Sequence, residues 1–179
     1  THAIACDKSA TAEVLARAGV ASVPHELFLH PEMARYVPHA GNWPRLLRSF
    51  ERLGADAVVK DNAGTGGRGV FRVRSAIQLE DAVLQLFQRG HSIAMNPFVP
   101  IDDEVRFVML RGVCEAAYSK VRPSVVGDGT RTVLELLAAQ VRQDGLSASM
   151  TRLLESIDTE IAAVLAEVPG PGVTRLLNW

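Results

Sequence analysis

The sequence predicts an α+β protein built of two lobes, and three observations carry that expectation. Ala57–Lys60 has a short buried-strand pattern, runs into four glycines (Gly64, Gly66, Gly67 and Gly69), and is followed by the alternating segment Val70–Arg74. Segments with helical spacing flank it on both sides. Asn96-Pro97-Phe98-Val99-Pro100 then reads as an extended linker, because each proline removes a backbone donor and restrains the residue before it.

Along the chain, Asp7 or Ser9 is placed to cap a helix through Ala12, Val14, Leu15 and Ala18, which Gly19 ends. Pro24, Pro31, Pro38, Gly41 and Pro44 interrupt residues 20–50, leaving a short strand around Leu27 and a helix from Trp43 to Leu53. After the glycine segment, Ile77–Phe87 carries apolar residues at helical spacing and Ser92–Met95 reads as a strand. Past the linker, Val105–Leu110 and Val113–Tyr118 predict a hairpin turning at Arg111-Gly112. Gly127-Asp128-Gly129 is a tight turn, and Thr132 caps a helix holding Val133, Leu136, Leu137 and Val141. A last helix, roughly Ser147 to Val168, ends before Pro169-Gly170-Pro171-Gly172 and the apolar run Val173–Trp179. The expected division is a first lobe over 1–95, a hinge over 96–100 and a second lobe over 101–179.

Charge and composition narrow the function. Lys plus Arg number 19 against 20 Asp plus Glu, for a net charge of −1, so no summed positive field favours nucleic acid as a partner. No apolar stretch approaches the ~20 residues that span a bilayer, which excludes a helical membrane segment. Cys6 and Cys114 form no clip or framework, and no basic segment with an apolar run precedes Cys6, so a reducing, cytoplasmic setting is expected. The five histidines show no metal-binding spacing, and Asp102-Asp103-Glu104 reads as a solvated acidic run; the metal ligands stay unassigned.

Gly64-Thr65-Gly66-Gly67-Arg68-Gly69 matches the spacing of a dinucleotide fingerprint, but that site needs a helix directly after the loop, whereas Val70-Phe71-Arg72-Val73 alternates like a strand. No Lys-Ser/Thr pair follows the glycines, so a P-loop is excluded too. A glycine-rich turn between antiparallel strands can instead fold its backbone N–H groups over nucleotide phosphates. An ordinary hairpin needs one or two glycines, and four in six residues favour phosphate covering. Lys60, at the end of the preceding strand, becomes a candidate phosphate ligand beside that loop.

Taken together, Asp7-Lys8 before a helix ending at Ala18-Gly19-Val20, Val58-Val59-Lys60 before Gly64–Gly69, and Val125-Val126-Gly127-Asp128-Gly129 with Thr132 and Leu136 resemble the ATP-grasp superfamily. The last element looks most like the ribosomal-protein glutamate ligase and cyanophycin synthetase branch. The resemblance implies two α+β lobes with a nucleotide cleft between them, ATP and Mg²⁺ as cofactors, and ligation of a small carboxylate to an amine through an acyl phosphate. It leaves room for a homo-oligomer.

Position by position, the resemblance makes Lys60 and Lys8 phosphate contacts and Gly64, Gly66, Gly67 and Gly69 the mobile cover. Asn96, Phe98 and Val99 fall at the adenine-binding hinge. The family often has Glu where Asn96 stands; Asn still accepts through its side-chain oxygen, and Pro97 cannot donate, so Phe98 or Val99 supplies any amide contact. Glu104 matches a ribose-binding carboxylate, Lys120 a cation on the γ-phosphate, and Arg106 a holder of the substrate carboxylate or acyl phosphate. Arg122 reads as a surface pair. The family's metal-binding Asp and Glu-x-Asn have no counterpart after Gly129. Glu155, Asp158, Glu160 and Glu167 look like a solvated helix face, and Leu176-Leu177-Asn178-Trp179 resembles an interior stretch of the family. The second lobe is therefore expected to be incomplete. The alternative is a non-catalytic ATP-binding or regulatory module that lacks the metal carboxylates.

Overall fold

The computed structural model describes residues 2–37, 43–67, 69–101, 103–120, 122–145 and 159–177. The chain forms two compact units, Thr1–Val99 and Pro100–Trp179.

In the first unit, two helices, α1 (His2–Ala5) and α2 (Lys8–Arg17), precede β1 (Glu26–Phe28), α3 (Pro31–Ala34) and α4 (Trp43–Arg52). β2 (Ala57–Asp61), β3 (Val70–Val73), α5 (Ala76–Gln88) and β4 (Ile93–Pro97) follow. Asp7 is the N-cap of α2, accepting from the Ala10 amide at 2.7 Å, and Pro44 sits in the first turn of α4, where its missing donor costs nothing. The strands form one antiparallel sheet in the order β1-β4-β2-β3. One face is sealed by α4 and α5: Phe28, Val59, Val73, Ile93 and Met95 pack with Leu46, Phe50, Leu79 and Leu86 in a single core.

β4 runs two residues further than the sequence pattern indicates. Asn96 lies opposite Val58 and Pro97 opposite Ala57, on the last rungs of the ladder, where a missing donor is tolerated. The Phe98 amide then bonds to the Asp56 carbonyl at 3.1 Å, and the two units divide just beyond, between Val99 and Pro100.

The second unit contains β5 (Val105–Leu110) and β6 (Val113–Ser119), a hairpin with a bulge at Val108/Met109 that turns at Arg111-Gly112. All its residues are exposed, and among the described residues neither outer edge carries another strand. A separate small layer pairs β7 (Ser124–Val126) with β8 (Thr174–Leu176) and packs them on α6 (Val133–Asp144) and α7 (Thr159–Leu165) through Val125, Val133, Leu136, Leu137, Leu165 and Leu177. Thr132 and Glu135 cap α6 reciprocally. Gly127 fits only because it lacks a Cβ, which would stand 2.3 Å from the Gly170 carbonyl oxygen. The expected helix from Ser147 lies outside the described residues as far as 158, as do Arg68, Asn178 and Trp179; its described part is α7.

Candidate functional site

Opposed residues of an antiparallel pair share a face, as do alternate residues along each strand. Lys60 lies opposite Ala94 and Asn96 opposite Val58, so Lys60 and Asn96 stand one pleat apart on the face turned away from the α4–α5 core. Arg72 and Leu27 share that face by the same register.

Lys60 is half-buried, and among the described residues no hydrogen-bond or ion-pair partner reaches its ammonium. Burial, with repulsion from Lys8 added, pushes its pKa down to about 8. The Lys8 ammonium is lowered too, by burial against the opposing pull of Asp61 and Asp7. His25, just before β1, is lowered by burial and then by Lys60, so its ring favours the neutral form. Its Nδ1 lies 2.7 Å from the Val23 carbonyl, which can only accept, and this places the ring proton on Nδ1 and leaves Nε2 bare. The unpartnered Lys60 ammonium, with the Lys8 charge and a neutral imidazole nearby, forms an electropositive corner suited to a polyanion.

The glycine loop leaves β2 over the same corner. Asp61 folds its start: Oδ1 accepts from the Ala63 amide at 2.9 Å, and Oδ2 lies 3.2 Å from His91 Nδ1. A Cβ on Gly64 would come within 2.9 Å of the Asp61 side chain, and Gly66 and Gly67 have φ of 73° and 83°, which L side chains rarely adopt. The loop's other side borders a cleft of about 410 Å³ lined by Asp61, Gly64, Thr65 and His91 together with Leu86 and Arg89 at the end of α5, so this cleft opens on the helix side of the sheet and not on the Lys60 face.

Lys8 is the first residue of α2, and its Nζ donates to three carbonyls at the loop's root: Asp61 at 2.8 Å, Asn62 at 3.3 Å and Gly64 at 2.5 Å. One pleat along the same face from Lys60, the Asn96 amide nitrogen donates to the Pro97 carbonyl at 2.7 Å, while its Oδ1 is buried with no partner. A buried acceptor without a donor is uncommon and costly. Phe98 is fixed, its amide spent on Asp56 and its ring 3.5 Å beneath the Arg72 guanidinium. Of the two amides expected at the hinge, Val99 is therefore the one left for a ligand.

In the second unit, Glu104, Arg106 and Lys120 converge. Glu104 Oε1 accepts from Nε and Nη2 of Arg106, both at 3.0 Å, and Oε2 accepts from Lys120 Nζ at 2.9 Å. Burial works to raise the Glu104 carboxyl, but the bonds from Lys120 and Arg106 outweigh it and hold it below the ordinary carboxylate range. Arg122 donates to the Ile101 carbonyl. Among the described residues no group of three His, Cys, Asp or Glu side chains is arranged to hold a metal ion.

Two residues of this region are missed by sequence reasoning. His25 looks like any loop histidine until its place near Lys60 is known. Asn62 is buried, and its Oδ1 accepts from both the amide and the hydroxyl of Ser9, 53 positions away. Nothing in a single sequence pairs those two residues.

No protein-family model matches the chain. Among proteins of similar sequence are the glutathione biosynthesis bifunctional protein GshAB of Streptococcus mutans, 34% identical over 104 residues, and the cyanophycin synthetase of Nostoc sp., 28% identical over 144 residues. These matches cover 56% and 79% of this chain, which spans 14% of the length of each relative. Among solved structures, the D-alanine-D-alanine ligase from Coxiella burnetii is 15% identical with a TM-score of 0.47, over 83% of this chain and 41% of that one.

Proposed function

We propose, from the premise that this chain is similar in sequence to ATP-grasp ligases, that it is the ATP-binding part of an ATP-dependent carboxylate–amine ligase. The observation that carries the nucleotide reading is the single sheet face on which Lys60 and the unpartnered Oδ1 of Asn96 stand, with the glycine loop over one end. Lys60 and Lys8 face the phosphates, and Gly64, Gly66, Gly67 and Gly69 let the loop's amides approach them. Asn96 Oδ1 accepts from the exocyclic amine of the base, and the Val99 amide donates to its ring edge.

Glu104, Arg106 and Lys120 are assigned the remaining contacts: Glu104 to the ribose hydroxyls, Lys120 to the γ-phosphate and Arg106 to the substrate carboxylate. In the reaction, a carboxylate oxygen attacks the γ-phosphorus and the bond to ADP breaks. An amine then attacks the acyl carbon, phosphate leaves with the C–O electron pair, and the amine gives up a proton. Positioning and charge neutralisation carry most of such catalysis. The described residues do not supply a carboxylate cluster for Mg²⁺, so the ion is given no protein ligand and no step.

Calorimetric titration with MgATP tests the binding reading: saturable binding to the parent, weakened at least tenfold in Lys60→Ala by loss of a charge-assisted contact, is expected. Equal affinity in parent and variant refutes the assignment of Lys60. The second reading is a module that binds ATP without turning it over. Trapping of an acyl phosphate as hydroxamate, in hydroxylamine with a panel of amino-acid carboxylates, separates the two: hydroxamate formation excludes the non-catalytic module.

A further inference from the structure

We propose that Asn62 is a positioning residue for the phosphate-covering loop, clasping the first turn of α2 to the loop's root; the proposal rests on the nucleotide reading above.

The clasp is made by the side-chain oxygen and the backbone of Asn62. Asn62 Oδ1 accepts from Ser9 N at 3.0 Å and from Ser9 Oγ at 2.9 Å. The Asn62 backbone carbonyl accepts from the Lys8 amide at 3.1 Å and from Lys8 Nζ at 3.3 Å, and its own amide donates to the Ser92 carbonyl at 2.9 Å. Asn62 and Ser9 are 6% and 9% exposed, so these bonds are made out of water, where a lost partner is costly. Among the described residues, the clasp joins three stretches that only the fold brings together: the start of α2, the end of β2 and the approach to β4.

The Lys8 contacts give the clasp its consequence. The Lys8 ammonium gathers the carbonyls of Asp61, Asn62 and Gly64, and so folds the loop's first residues around a positive charge. Of the amides that follow these carbonyls, those of Asn62 and Ala63 are held by Ser92 O and Asp61 Oδ1, which leaves the Thr65 amide, after Gly64, as the one that can turn toward a phosphate. Asn62 sets where α2 begins, and therefore where that ammonium sits. Asn62 need not touch the nucleotide; it acts through Lys8 and the loop.

The test uses Asn62→Ala, with Asn62→Asp as the conservative variant that keeps an acceptor for Ser9, and Ser9→Ala as a milder cut that spares the Ser9 amide. The first readout is amide hydrogen exchange in the protein without nucleotide. Exchange at residues 63–67 is expected to quicken about tenfold in Asn62→Ala, to recover in Asn62→Asp, and to stay unchanged in α5. The second readout is affinity for ATP against adenosine: ATP binding is expected to weaken about tenfold in Asn62→Ala while adenosine binding holds. Unchanged loop exchange, or equal losses for ATP and adenosine, overturns the positioning role. If the parent binds no nucleotide, the nucleotide reading fails by itself, and loop exchange still decides whether the clasp orders the loop.

Discussion

Raising the pH through the range where Lys60 sheds its proton is expected to weaken ATP binding and to make binding draw in a proton. Burial and the neighbouring Lys8 hold the Lys60 pKa at about 8. The charged fraction is then roughly nine-tenths at pH 7 and one-tenth at pH 9. With only the ammonium form able to pair with the triphosphate, apparent affinity falls about tenfold across that interval. The bound anion returns Lys60 toward its ordinary value, so binding at pH 8 takes up about half a proton. The charged and titratable neighbours are Lys8, itself lowered by burial, and His25, whose lowered pKa keeps it neutral across the range. Calorimetry with MgATP in two buffers of different ionisation enthalpy measures both quantities, and Lys60→Met is expected to abolish the uptake and flatten the profile. The same shift fixes a stability trend. Because the unfolded chain holds the Lys60 proton up to about pH 10.5, it binds more protons than the folded chain above about pH 8, so stability rises with pH between the two values. An affinity that stays flat from pH 7 to pH 9 without proton uptake refutes the placement of Lys60 on the phosphates.

Asn96→Leu removes a buried acceptor that has no partner, so thermal stability is expected to hold or rise while ATP affinity drops about tenfold and preference over GTP is lost; thermal shift and competition binding read the two effects. Gly127→Ala places a Cβ 2.3 Å from Gly170 O and 2.5 Å from Pro169 O, both backbone atoms, and about 2–4 kcal/mol of stability in the second unit should go, seen as exchange in α6 under urea while α5 is unaffected. Thr132→Ala breaks the capping box of α6 for a cost of about 1 kcal/mol, measurable in the same urea series.

The sequence displays what depends on local spacing and hides what depends on distant pairing. β2 and β3 are legible because the short buried-strand pattern Ala57–Lys60 and the alternating Val70–Val73 stand on either side of four closely spaced glycines, and α6 because Thr132 and Glu135 stand at capping-box spacing. α1 and α3 escape notice because four residues are too few for a hydrophobic stripe. Asn96 and Pro97 read as linker since proline argues against a strand, yet the end of a ladder accepts it. Lys60 can be picked out beside its loop, while the shared face that gives it meaning needs the β2–β4 register. Lys8 is identified by position alone, and its grip on three carbonyls belongs to the fold. The candidate site is thus legible as a set of residues, and its arrangement only in the fold.

The β5–β6 ribbon is an apolar surface with a consequence for association. Phe107, Met109, Leu110 and Val113 are each more than half exposed, and the ribbon's charges, Arg106 and Glu115, are few. Among the described residues neither edge of the ribbon carries another strand, and such an edge, with apolar side chains on both surfaces, is a template on which another strand can dock. A lysine at Phe107 or Val113 would serve as a gatekeeper, with the sheet of the first unit untouched.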